Sequence, residues 1–158
     1  HMALDGRTIS NGLAWSTDGS TMYYIDTPRR RVDRFHVTAS GELLADGHLV
    51  DIPLEQGAPD GMCIDDEGAL WVALWGGSAV HRYSPEGRLL ARVEVDAPQV
   101  SSCTFGGPQR DILFITTSRE GYGPEEIEEH PLAGAVFCVR AGVAGPNAVG
   151  YRSDSAPQ

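Results

Sequence analysis

The sequence predicts an all-β chain assembled from blades of a β-propeller, on three observations: a segment order that recurs three times, a high glycine content, and apolar runs of strand length. Glycine supplies 19 and proline 10 of 158 residues, dispersed along the chain. Average glycine usage is only about 7%, and many short strands joined by tight turns need more. Superposing the chain on itself aligns Asn11-Gly-Leu-Ala-Trp15, Asp60-Gly-Met-Cys-Ile64 and Ser101-Ser-Cys-Thr-Phe105, whose heads lie 49 and 41 residues apart.

Each unit then runs through the same elements. The opening strand is followed by a turn at Asp18-Gly19, Glu67-Gly68 or Gly106-Gly107, and by an apolar second strand at 22–26, 70–74 or 112–116. A third strand falls at 32–37, 79–84 and 135–139, and a fourth at 48–52, 92–95 and 149–153. Ser40-Gly41-Glu42 and Pro85-Glu86-Gly87 have the turn chemistry to join strands three and four in the first two units. Four short antiparallel strands per unit of about 40–50 residues make a propeller blade. A sandwich or single barrel would show strands at regular spacing without this higher repeat. Residues 119–131 are an insertion, and Pro124-Glu-Glu-Ile-Glu-Glu129 has the early proline and first-turn acids of a short surface helix.

These units give one domain over residues 3–158, with blades at approximately 9–53, 58–97 and 99–153; His1-Met2 reads as a cloning remnant. A hydrophobic share of 41% is enough for one sizeable core. Propellers close with about four to eight blades, so three leave terminal sheet faces bare. The expectation is self-association, two copies supplying six blades, or pairing with a missing N-terminal half.

Twenty-two acids against twelve Lys and Arg leave a net charge of −10, which repels phosphate backbones and anionic leaflets. Nucleic acid and membrane are therefore not the expected partners; the charge suits either solubility or a cation. No run approaches the roughly 18 apolar residues of a membrane span. Cys63, Cys103 and Cys138 are odd in number and lie in apolar runs. They read as buried thiols rather than a disulfide framework, which fits a reducing, cytoplasmic setting.

Propeller blades place their first strand at the central channel, so Asn11, Asp60 and Ser101 converge at one mouth. An amide oxygen, a carboxylate and a hydroxyl are hard ligands of the kind Ca²⁺ or Mg²⁺ takes. Asn-Gly and Asp-Gly are equally strong hairpin-turn dipeptides, which is the competing reading. Each unit, however, has its turn seven residues further on, and Pro59 is a poor residue for a strand entering a hairpin. Asp65, Asp66 and Glu67 lack the spacing of a calcium loop and read as a solvated turn. His36, His48, His81 and His130 form no helical metal pair and read as surface or filler. Trp15 and Trp71 read as blade core, with Trp75 at a strand end near a mouth.

Ile9-Ser-Asn-Gly-Leu-Ala-Trp-Ser16, Tyr23-Tyr-Ile-Asp26, Pro59-Asp-Gly-Met-Cys-Ile-Asp65, Gly68-Ala-Leu-Trp-Val-Ala73 and Cys103-Thr-Phe-Gly-Gly107 together resemble the consecutive signatures of the SMP-30/gluconolactonase/regucalcin family. The resemblance runs from about Leu4 to Tyr151 and corresponds to the family's C-terminal half. It implies a six-bladed propeller hydrolysing sugar lactones around one axial divalent cation, held by a Glu, two Asn and an Asp. Ca²⁺ is the expected ion, with Zn²⁺, Mn²⁺ or Mg²⁺ as alternatives. The second family Asn falls on Asn11 and the Asp on Asp60, while the Glu and the other Asn belong to the half not contained here. The resemblance also makes Asp60 the catalytic base, although a carboxylate bound to a dication serves better in ligation and water positioning. The alternatives are a calcium-binding, non-catalytic propeller of the regucalcin type and an inactive fragment.

Overall fold

A computed structural model describes residues 2–147 and contains eleven strands, all paired antiparallel. The first blade is β1 (Ser10–Trp15), β2 (Thr21–Asp26), β3 (Arg31–Val37) and β4 (Leu43–Asp51) in sequential order. The second is β5 (Ala58–Ile64), β6 (Leu70–Trp75), β7 (Ala79–Tyr83) and β8 (Leu89–Glu94). The third is β9 (Gln99–Gly106), β10 (Ile112–Ser118) and β11 (Val136–Arg140), whose ladder meets the second blade's at the bridge Trp75–Gln99. The fourth strand expected at 149–153 lies outside the described residues.

Boundaries agree with the sequence where side chains alternate between cores and differ where they do not. The outer strands β4 and β8 begin at Leu43 and Leu89, before the expected 48 and 92. Both are largely exposed, so no buried face imposes a pattern on their sequence. Helix α1 (Pro124–Glu129) forms within the insertion, its first turn closed by the Gly123 N–H donating to Glu126 Oε2 at 2.7 Å.

The core is two seams between neighbouring blades. Ala14, Tyr23, Ile25 and Val32 of the first blade pack on Met62, Ile64, Leu70 and Val72 of the second. On the other face of the second blade, Trp71, Ala73 and Val80 pack on Val100, Cys103, Leu113 and Ile115 of the third. Trp71 is core as expected, whereas Trp15 is 46% exposed on the outer face of the first blade. The N-terminal segment packs on that face, Leu4 against the Met22, Tyr24 and Phe35 cluster and the Arg7 guanidinium over the Tyr24 ring. The segment is held by Asp26, whose carboxylate accepts from the Thr8 and Ile9 amides at 2.9–3.3 Å.

Two readings need correction. Asp65 is fully buried rather than a solvated turn residue: its carboxylate accepts from the Glu67 and Ala69 amides, Trp71 Nε1 and Arg82 Nε at 2.8–3.0 Å. It ties the β5–β6 turn to the blade behind it; only Asp66 and Glu67 face solvent. Of the three thiols, only Cys103 is buried, while Cys63 is partly covered and Cys138 exposed. Among the histidines, His36 and His48 are exposed and His81 is buried filler whose Nδ1 lies 2.9 Å from the Tyr83 hydroxyl.

Candidate metal centre at the mouth of the inner strands

Asn11-Gly12 and Asp60-Gly61 do not make turns; both lie within strands, where each forms a bulge. Between the pairs Ser10–Asp26 and Leu13–Tyr24, β1 carries two residues opposite the single Ile25 of β2. Between Pro59–Leu74 and Met62–Val72, β5 carries Asp60 and Gly61 opposite Ala73. In β9 the shift falls at Ser101, between Val100–Thr117 and Ser102–Thr116. One extra residue at the same place in each inner strand bends the strand and re-aims the side chain there. Pro59 is tolerated because the free edge of an inner strand needs no donor.

Neither Gly12 nor Gly61 has a positive φ; what they provide is space. A Cβ on Gly12 would lie 2.7 Å from the Asp60 carbonyl oxygen and 2.8 Å from Met62. One on Gly61 would lie 2.3 Å from Ser102 Oγ and 2.8 Å from the Ser101 carbonyl oxygen. The glycines let the three inner strands approach closely, which sets their bulged heads side by side.

Asn11 and Asp60 meet there. Burial raises the Asp60 carboxyl from its usual range to about 6, against the opposing pull of hydrogen bonds from the Asn11 amide and the Gly61 N–H. Among the described residues no cationic side chain contributes to holding its charge. An Asn11 N–H donates to Thr27 Oγ1 at 3.1 Å, and Thr27 donates to the Pro59 carbonyl at 2.9 Å. That bond orients the amide, and among the described residues nothing donates to the Asn11 oxygen. Ser101 is not drawn in: its hydroxyl pairs with Thr116 Oγ1 at 2.9 Å in its own blade.

A half-buried carboxyl without a counter-charge, beside an amide oxygen, is a donor pair that a hard dication fits. Among the described residues no three His, Cys, Asp or Glu side chains surround a common point, so such an ion draws here on one carboxylate and one amide. The insertion closes on the same end of the blades, with Gln99 Nε2 donating to the Glu120 carbonyl at 3.3 Å and Thr117 Oγ1 to that of Ala135 at 2.8 Å. Its helix α1 is exposed along its length, acids included. Thr27 gave no sequence signal, since its role depends on the 3-10 turn Thr27–Arg29 that follows β2.

Known proteins share this architecture. The regucalcin of Oryctolagus cuniculus is 39% identical over 131 residues, covering 82% of this chain and 44% of its own length. A calcium-binding protein, regucalcin, from Agrobacterium tumefaciens superposes with a TM-score of 0.87 at 32% identity, over 96% of this chain and 52% of the other. A gluconolactonase from Xanthomonas campestris superposes with a TM-score of 0.59 at 34% identity, over 68% of this chain and 34% of the other. The chain spans about half the length of the curated relatives it matches. The three groups of strands are therefore blades of a propeller. The model of the SMP-30/gluconolactonase/LRE-like region matches residues 1–119, and with the ordered inner-strand motifs this places the chain in that family.

Proposed function

We propose that Asn11 and Asp60 supply two oxygen ligands to a divalent cation, Ca²⁺ in the first instance, in a propeller that opens sugar lactones. The observation that carries this reading is the paired bulge that sets Asn11 against an Asp60 carboxyl with no cationic partner among the described residues. When bound, the cation supplies Lewis acidity toward the lactone carbonyl. Asp60 has two tasks open to it, and they exclude one another at a given moment. Ionised and ligating, it fixes the ion and orients a water; with its charge uncommitted, its proton affinity near pH 6 suits acceptance of a proton from that water. Asn11 is tethered through Thr27 to the Pro59 carbonyl, which fixes its amide on the strand that carries Asp60.

The chain covers about half of the regucalcins it matches, and a complete ligand set requires further blades, from a second copy or from a preceding half. The test is base consumption on adding an aldonolactone with Ca²⁺, Mn²⁺ or Zn²⁺, at protein concentrations from micromolar to millimolar. Metal-dependent opening that Asp60→Asn abolishes supports the reading; no opening in any metal at any concentration overturns it for this chain. The donor set favours a second reading, cation binding without turnover, because one carboxylate and one amide bind Ca²⁺ without completing a reaction centre. Calcium binding with no lactone opening distinguishes it.

A further inference from the structure

Cys63 and Cys103 are 40 residues apart in sequence, yet their Sγ atoms lie 3.7 Å from one another across the seam between the second and third blades. The repeat accounts for the meeting. Cys63 points from β5 toward the third blade, and Cys103 points from β9 back toward the second; one seam earlier, Ala14 and Met62 occupy that position as ordinary core. Both cysteines border an open groove of about 350 Å³, lined also by Met62, Ile64, Thr104 and Phe105. Cys103 is 5% exposed and Cys63 partly exposed, so a small uncharged reagent entering the groove meets the pair from the Cys63 side.

We propose that Cys63 and Cys103 form an oxidisable dithiol whose disulfide staples the inner strands of the second and third blades. With a peroxide as oxidant, one sulfur displaces hydroxide from the O–O bond, giving a sulfenic acid and water. The other sulfur then attacks the sulfenic sulfur; the S–S bond forms, the S–O bond breaks, and a second water leaves. Two thiols and one peroxide thus become one disulfide and two waters. Cys63 is held protonated by its hydrogen bond with Cys103 and by burial, and Cys103 Sγ donates to the Trp71 carbonyl at 3.3 Å. Formation is accordingly slow, and the resulting disulfide is hard to reduce, as suits a lasting staple rather than a rapid sensor.

The experiment is native oxidation of the full chain with hydrogen peroxide, followed by alkylation of the remaining thiols and intact mass without reductant. The expected product has lost two hydrogens and takes up one alkyl group, on Cys138, where the reduced chain takes up three. A non-reduced digest links the β5 and β9 peptides, and the melting temperature rises by roughly 5–10 °C, reversibly with dithiothreitol. Cys138→Ser retains the intramolecular link, and Cys63→Ala abolishes it. Three alkylatable thiols after oxidation, over-oxidation of Cys63 or Cys103 to sulfinic acid, or a disulfide involving Cys138 would overturn the proposal. None of these outcomes bears on cation binding at Asp60.

Discussion

Gly61 has no room for a side chain, because the third blade's inner strand fills the place a Cβ would take. Gly61→Ala is expected to lose about 1–3 kcal/mol in urea unfolding, and to weaken cation binding by displacing the bulge next to Asp60. Asp60 itself carries a pH signature. Burial pushes its folded carboxyl up to about 6 from the usual 3.8, so the folded state binds the proton more tightly than the unfolded one. The stability this confers is full below about pH 4 and is lost as pH rises through 6. In chelator, Asp60→Asn should remove that decline while leaving other slopes in place. His81 works with the opposite sign: burial, with Arg92 adding to it, keeps the ring neutral, so stability falls as pH drops below 6.5 in wild type and variant alike. An unchanged slope in Asp60→Asn would refute the burial argument.

At the scale of the element, the blade repeat was legible because inner, second and third strands face packed seams and their side chains alternate accordingly. The outer strands β4 and β8 began earlier than expected because solvent imposes no such alternation. Asn11 and Asp60 were legible as residues freed from turn duty. That they sit on bulges, that their glycines serve strand approach, and that Thr27 braces the amide all depend on inter-blade distances that one strand's sequence does not encode. Asp65 was misread because a turn flanked by acids looks solvated until Trp71 and Arg82 are seen folding over it. Asp65→Ala would leave four donors facing a void, and a loss of about 3–5 kcal/mol is expected in chemical denaturation. A loss below about 1 kcal/mol would mean the turn holds without its carboxylate.

Among the described residues, the first and third blades each present an incompletely covered sheet face. Leu13 and Trp15 are exposed on the first blade, and Phe114 and Val136 on the third. Because further blades would cover both, we propose concentration-dependent self-association through these faces. Sedimentation velocity should show dimer growing with protein concentration, and Trp15→Glu should oppose it; a monomer at all concentrations contradicts the proposal. The two bulged strand heads stand or fall on one measurement, calorimetric titration of Ca²⁺ into the chain and into Asn11→Ala and Asp60→Asn. Wild type should bind one ion weakly, in about the 10⁻⁴–10⁻³ M range, with Asn11→Ala weakened and Asp60→Asn silent. Equal affinity in all three, or no binding in wild type, would contradict the assignment of Asn11 and Asp60 as ligands.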